Sequence, residues 1–515
     1  MLLLRKNFLL ILVLILASIF RLTNLDLIEF KADEGINLFL TSRPIFGHPF
    51  PPGGTVSSIG ITNFPIANYL LFPMVLISVD PKAISFLIAL FNVVAIGLFF
   101  LILRKYYSET LAFIASSLLA TSPWAILLSR KIWAQDLLFP MMIPLIYSFH
   151  KIVVDRDSRF FVLFIAVSLF LIQIHQSALF FILPLIIFMF LKKTGLSMKF
   201  VVTGAVIGII PAIPFAFYQI QTGCFDCEMF FSVSERVSDV VSPILFQRPF
   251  QILSQGDFLK ILGPDVLYFA KNFPAAYLFK TIYYTEYLLL PAGLFIFYKL
   301  FKKTGFLVFP VFVLPFIYAF LKLEPQIHYF IIGAPFLYIF LASSFYYFFT
   351  NKNKALRNFA RGLFVVIILF SLYYNFAFYK TISDLKNVKG DYGSVYSETE
   401  KNVKKQYQRY ETDPHYQEMI IASYVPFSLT HGNIGIARLL YDPNKTQRNM
   451  GPLEERLKIV PVDRRVQNEL IAYYTREVPS EETLESLKKK SEEIEGFGPI
   501  YREVLNFYNE QQISL

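Results

Sequence analysis

Eight side chains in this sequence are of the types needed for proton transfer and phosphate chemistry: Asp33 and Glu34, Arg130 and Lys131, Asp136, His175, Lys322 and His328. Adjacent carboxylates such as Asp33 and Glu34 repel, which raises the pKa of one of them, and partial burial raises it further. A carboxylate tuned in this way takes a proton from a hydroxyl nucleophile, a contribution of roughly 10²–10⁴-fold when well placed. Lysine, arginine and histidine stabilise negative charge developing on a leaving phosphate. Asp33, Glu34 and Asp136 also offer oxygen ligands to a divalent cation, but no Asp-x-Asp motif occurs in the first loop. A divalent cation stays open and no metal ligand is assigned. Each residue also has a plainer reading. Glu34 can partner Lys31 or Arg43, His175 can cap a hairpin, and His328 can anchor a helix.

The elements that must position these groups are dictated by composition. Of 515 residues, 55% are hydrophobic and 17% charged, against about 25% charged in soluble domains. The charge is unevenly spread. Residues 381–515 hold 39 charged side chains and are net −3, whereas 1–380 hold 47 and are net +13. The expected domains are therefore a membrane region, 1–380, and a water-soluble C-terminal domain, 381–515. A spanning helix needs roughly 20 mostly apolar residues, because lipid offers the backbone no hydrogen-bond partner. Apolar stretches fall near 8–22, 62–79, 82–103, 111–129, 137–150, 160–174, 177–191, 200–220, 281–298, 305–321, 327–349 and 362–379.

Basic residues orient these stretches, since loops rich in Lys and Arg stay cytoplasmic. Six loops, from Arg5/Lys6 to Lys352–Arg361, hold 17 basic and 3 acidic residues. They share one side only if 62–79 does not cross. That stretch carries Pro65 and Pro73 and follows the Pro/Gly-rich run Pro49–Gly54, and it reads as an interfacial or re-entrant helix. The expected fold is thus an all-α polytopic membrane protein of about 11 transmembrane helices plus an interfacial helix. Its N-terminus is cytoplasmic and its C-terminal domain is small, α/β and extracytoplasmic. The first stretch, after Arg5-Lys6, has signal-peptide features, but cleavage would spoil the charge arrangement, and a retained anchor is expected. The net charge of +10 is then an orientation signal, and nucleic acid drops out as a partner. All eight candidate residues fall on the outer face, beside Trp124 and Trp133 at the interface.

The order of features resembles a known family. The first helix is followed by Lys31-Ala32-Asp33-Glu34-Gly35, by Asn63-Phe64-Pro65, and by Ser122-Pro123 through Arg130 to Asp136. This looks like glycosyltransferase family 39 and its GT-C relatives, the protein O-mannosyltransferases and aminoarabinose transferases. The motifs cover about 1–190. The likeness weakens through 190–380, and 381–515 matches no family. The resemblance implies an inverting glycosyltransferase that moves a hexose or pentose from a polyprenyl-phosphate-linked donor to a protein or glycolipid acceptor outside the plasma membrane. It implies Asp33 as the general base, with Glu34 beside it, and Asp136 lining the cavity. Arg130, Lys131, His175, Lys322 and His328 are the candidates for donor-phosphate binding. One departure is that many relatives carry Lys or His where this chain has Asn63-Phe64.

Two rival classes follow from the same helices. A transporter or flippase of lipid-linked sugars should keep ionisable residues near mid-membrane and often shows repeated halves; neither is apparent in the sequence. A scaffold acting through the tail would not need the first-loop carboxylates. Cys224-Phe225-Asp226-Cys227 reads as isolated thiols or a local disulfide, with half of a zinc site as the alternative. The outer loop 221–280 that holds it is long enough to serve as a lid. In the tail, 464–476 and 481–511 read as helical and Met419–Phe427 as a strand.

Overall fold

A computed structural model describes residues 7–412 apart from 47–48, 56–60, 193–194, 222, 225–226, 228–243, 256 and 321–326. The tail expectations beyond Thr412, and Lys322, lie outside the described residues. Two compact units are distinguished. The larger comprises Met1–Glu29, Pro51–Met74 and Pro81–Tyr396; the smaller takes in Phe30–Phe50, Val75–Asp80 and the chain after Tyr396.

The larger unit is helical. Among the described residues five segments are long and apolar enough to cross a membrane: Pro81–Tyr106, Ala134–Val153, Met198–Gln221, Ile327–Phe349 and Lys354–Leu385. Shorter apolar helices include Phe8–Arg21, Glu109–Thr121, Ser177–Leu191 and Ile66–Val75. The last has ten residues with Pro73 inside it, about 15 Å at 1.5 Å per residue, half the hydrocarbon thickness. Among the described residues β-structure is limited to two isolated antiparallel bridges, Glu29 with Val395 and Asn387 with Ser394.

The stretch read as one apolar run, 111–129, is broken. Helix Glu109–Thr121 stops where Ser122 turns to extended backbone before Pro123, and Pro123–Leu127 begins a new short helix with proline in its first turn. Proline disfavours helical backbone in the residue before it, which explains the break. A helix end exposes carbonyls that need donors, and here they come from other helices. Arg21, on the first helix, donates to Ala120 O at 2.6 Å and Leu119 O at 3.4 Å. Asn375, on the last long helix, donates to Thr121 O at 2.9 Å. The carbonyl end of a helix carries partial negative charge, so a buried guanidinium is favourable there. Arg21 is 1% exposed.

The pair Phe161–Ile174 and Met198–Ile209 packs through small residues. A Cβ on Gly204 would lie 2.6 Å from Val162 O, and one on Gly208 2.6 Å from Leu169 Cδ1. Glycines four apart let the backbones approach, and Gln173 Nε2 donates to Gly208 O at 2.7 Å across the contact.

The smaller unit contains helix Ala32–Ser42, followed by a turn of 3-10 helix, Arg43–Phe46. The acidic pair occupies its first turn, where the helix dipole favours negative charge.

Candidate functional site

The site is assembled around the loop between Leu127 and Leu138. Asp136 begins the local order. Its Oδ2 accepts the Lys131 backbone N–H at 2.7 Å, and its own N–H donates to Trp133 O at 3.1 Å. Asn92 Nδ2, from helix Pro81–Tyr106, donates to Asp136 O at 3.2 Å. A carboxylate bonded to a main-chain N–H five residues back closes the loop as a ring. Asp136 is buried, and its carboxylate holds the Lys131 main chain.

Arg130 and Lys131 are adjacent but do different things. The Arg130 guanidinium donates to three carbonyls near the end of the first helix: Phe20 O at 2.7 Å, Thr23 O at 2.8 Å and Asn24 O at 2.8 Å. It also lies 4.9 Å over the Tyr379 ring. A planar fork of donors suits this multiple capping, and Arg130 is buried. Lys131 instead pairs with Glu29, with only 14% and 8% of the two side chains exposed. Its ammonium stands 5.3 Å over the Trp133 ring.

Glu29 is held in turn by the chain that follows the last long helix. Val395 forms an antiparallel bridge with Glu29, Tyr396 N donates to Ile28 O at 2.9 Å, and Tyr392 OH donates to Leu27 O. The turn is closed by Val388 N to Gly393 O at 3.0 Å, with Gly393 at φ 68°, a conformation that favours glycine. Tyr392 N donates to Ile261 O at 2.9 Å and Lys389 N to Asp265 Oδ2 at 2.7 Å.

Two further segments bring imidazoles, the break at His175 and the 3-10 helix Ile327–Gly333. His175 interrupts the helical run between Ile174 and Ser177, and its Nδ1 receives both Ser177 Oγ–H at 2.7 Å and Ser177 N–H at 3.3 Å. Nδ1 is therefore the acceptor, which assigns the ring proton to Nε2. Burial pushes the His175 pKa down to about 4, so the ring is neutral at neutral pH, a donor rather than a cation. His328 packs edge-on against Trp133 at 4.9 Å, and His175 lies 6.1 Å from His328 and 4.8 Å from Tyr329. Lys131, Trp133, His175, His328 and Tyr329 thus converge from three separate segments of the chain, with Asp136 bonded within the first. A largely apolar cavity in the same unit is lined by Arg21, Asn92, Trp124, Phe139, Ile327 and Pro335.

Asp33 and Glu34 are described within the smaller unit. Glu34 is buried, and its Oε2 accepts the Lys31 N–H at 2.9 Å, which is the acidic half of a capping box. Asp33 is exposed, and its main-chain carbonyl accepts from Asn37 Nδ2 at 2.9 Å. Cys224 and Cys227 form a disulfide. Among the described residues no group of three His, Cys, Asp or Glu could hold a metal ion. Glu29, Trp133 and Tyr329 were not singled out as site residues from the sequence. The one signal that could have found Glu29 is its place in the first outer loop.

Residues 64–218 match the family of dolichyl-phosphate-mannose-protein mannosyltransferases. The matched segment begins after Asp33 and includes Arg130, Lys131, Asp136 and His175. No curated protein matches the chain. Among solved structures the fold is similar to ArnT from Cupriavidus metallidurans bound to undecaprenyl phosphate. The identity is 13%, the TM-score 0.50, and the match covers 78% of this chain and 81% of that one. The apo form of the same ArnT gives 14% identity and a TM-score of 0.49, covering 78% and 80%. An Archaeoglobus fulgidus oligosaccharyltransferase complex with zinc and sulfate gives 14% and 0.45, and this chain spans 56% of its length. The GT-C resemblance read from the sequence is shown by the family match and the ArnT-like fold. The chain is a multi-pass membrane protein.

Proposed function

We propose that this protein is a membrane glycosyltransferase that moves a sugar from a polyprenyl-phosphate carrier to an acceptor on the extracytoplasmic side. The observation that carries the reading is the convergence of Lys131, Trp133, His175 and His328 in a chain with a GT-C-like fold. The lipid carrier is supported by the undecaprenyl phosphate bound to ArnT. The cavity lined by Trp124, Phe139 and Ile327 offers apolar walls to part of such a carrier.

In this reading the acceptor hydroxyl oxygen attacks the sugar C1 from the face opposite the phosphate, and its proton passes to Asp33. The C1–O bond to phosphate breaks with its electron pair going to the phosphate oxygen, and the configuration at C1 is inverted. Lys131 supplies the cation beside the leaving phosphate, and the Nε2–H of His175 and the His328 ring supply further polar contacts. Asp136 acts on this step through the Lys131 main chain. Arg130 holds the loop in place, with its guanidinium bonded to Phe20, Thr23 and Asn24. Lys322 joins the phosphate contacts as an expectation from the sequence. Residues 1–380 form the catalytic domain, with the N-terminus cytoplasmic and 381–515 outside.

The direct test reconstitutes the full chain in proteoliposomes with a radiolabelled polyprenyl-phosphate sugar and membrane extract as the acceptor source. The expected result is label on the acceptor fraction with release of unlabelled polyprenyl phosphate. Labelled lipid that changes leaflet without covalent transfer would instead support a flippase.

A further inference from the structure

The segment between the disulfide loop and helix Tyr283–Leu300 is amphipathic in a way the sugar-transfer reading does not use. Residues 258–282 form short helices, including Val266–Asn272 and Pro274–Leu278. One side packs on the outer part of helix Lys354–Leu385: Phe258, Leu262 and Phe269 are buried in a cluster with Tyr374 and Phe378. The other side leaves Leu267 75%, Leu278 66% and Phe279 62% exposed. Lys271 and Lys280 lie among them, with Lys280 Nζ 4.0 Å over the Tyr277 ring.

The level of this segment along the membrane normal can be read from the helix it packs on. Arg361 and Lys380 bracket the apolar part of Lys354–Leu385. They are about 28 Å apart at 1.5 Å per residue, close to the hydrocarbon thickness of about 30 Å. Phe376, one turn before Lys380, meets Phe273 at 6.5 Å between ring centres. Phe376 also ends an exposed stripe on that helix that includes Val366, Leu369 and Tyr373, the face a spanning helix turns to lipid. The apolar surface of 266–280 therefore continues a lipid-facing stripe at the level where acyl chains give way to head groups. Exposed leucine and phenylalanine there gain from burial in the interface, and lysines beside them attract lipid phosphates.

We propose that residues 266–280 form an interfacial anchor, with Leu267, Leu278 and Phe279 inserted in the outer leaflet and Lys271 and Lys280 bound to anionic lipid head groups. This depends on the membrane architecture and not on the sugar-transfer reading. The described thiols are both in the disulfide, so a single added cysteine can be spin-labelled on its own. Nitroxides at Leu267→Cys and Leu278→Cys, with Asp391→Cys as an aqueous reference, are compared by power saturation in full-length protein in vesicles. Sites 267 and 278 should be relaxed several-fold more by oxygen than by a water-soluble nickel chelate, with the reverse at 391. If both match 391, the anchor is overturned. Adding phosphatidylglycerol to phosphatidylcholine vesicles should deepen both sites, and Lys271→Gln/Lys280→Gln should remove that response. No response in the wild-type chain, or one that survives the double substitution, overturns the recognition of anionic lipid.

Discussion

The carboxylate of Glu29 and the ammonium of Lys131 form an ion pair that is almost wholly withdrawn from solvent, with 8% and 14% of the side chains exposed. Lys131 is also stacked over Trp133, which touches His328, so the pair fixes a cation at the edge of the imidazole cluster. Removing one partner of such a pair leaves a buried charge and costs roughly 3–5 kcal/mol where the pair is fully enclosed. Glu29→Gln is expected to raise KM for the lipid-linked donor more than it lowers kcat, because the displaced group is the cation facing the phosphate. Glu29→Asp should restore much of the donor affinity. Equal loss in both variants with KM unchanged would refute this positioning role.

Arg130 and Lys131 should separate cleanly by phenotype. Arg130→Ala strips donors from Phe20 O, Thr23 O and Asn24 O, and unsatisfied buried groups cost on the order of 1–3 kcal/mol each. A fall in Tm of several degrees in detergent is expected, with Arg130→Lys intermediate because a point charge cannot serve three carbonyls as a fork does. Lys131→Gln strands the buried Glu29 carboxylate and so lowers Tm as well, but it should reduce donor turnover more than Arg130→Ala does. The reverse ranking would show that Arg130, not Lys131, meets the phosphate.

His175 gives a pH prediction with a definite sign. Its folded pKa, about 4, lies below the 6.5 of the free side chain, because burial disfavours the charged ring. The unfolded chain therefore binds more protons between these values. The stability that comes from keeping the ring neutral is complete above about pH 6.5 and is lost as pH falls towards 4, on the order of 3 kcal/mol in all. His175→Gln should flatten the fall in Tm over that window. An unchanged slope would mean that the ring titrates normally.

Much of this architecture was legible in the sequence because lipid imposes long apolar runs. The described helices Phe8–Arg21, Ser177–Leu191, Ile327–Phe349 and Lys354–Leu385 lie on the expected stretches. Loss of helix at Ser122-Pro123 was also encoded locally, by the constraint proline places on its predecessor. Partners fixed by tertiary structure were not legible. Arg130, near an outer surface, reads as an anion binder, and only the fold reveals that main-chain carbonyls at and just past the end of the first helix occupy it. Glu29 and Lys131 share no spacing or motif. Glu34 lay between: glutamate three positions after Lys31 is a capping-box signal, weakened because lysine lacks the side-chain acceptor that completes the box.

The glycine contact between Phe161–Ile174 and Met198–Ile209 should be intolerant of bulk. Gly208→Leu would drive atoms into Leu169, within 2.6 Å of a bare Cβ, and separate Gln173 from Gly208 O. Overpacking costs about 1–3 kcal/mol, so a lower Tm in detergent is expected. Gly195, which meets nothing within 4 Å but has φ +76°, provides a milder control as Gly195→Asn.

The central claim is that an exposed carboxylate in the first loop accepts the acceptor proton while the donor phosphate departs. It is tested most directly by initial rates of labelled-sugar transfer from a polyprenyl-phosphate donor, comparing the wild-type chain with Asp33→Asn in the same proteoliposomes. The amide of that variant keeps the shape of the carboxylate and cannot take a proton, so the rate should fall by roughly 10²–10⁴-fold with protein level and Tm unchanged. Transfer at the wild-type rate by Asp33→Asn would contradict the account.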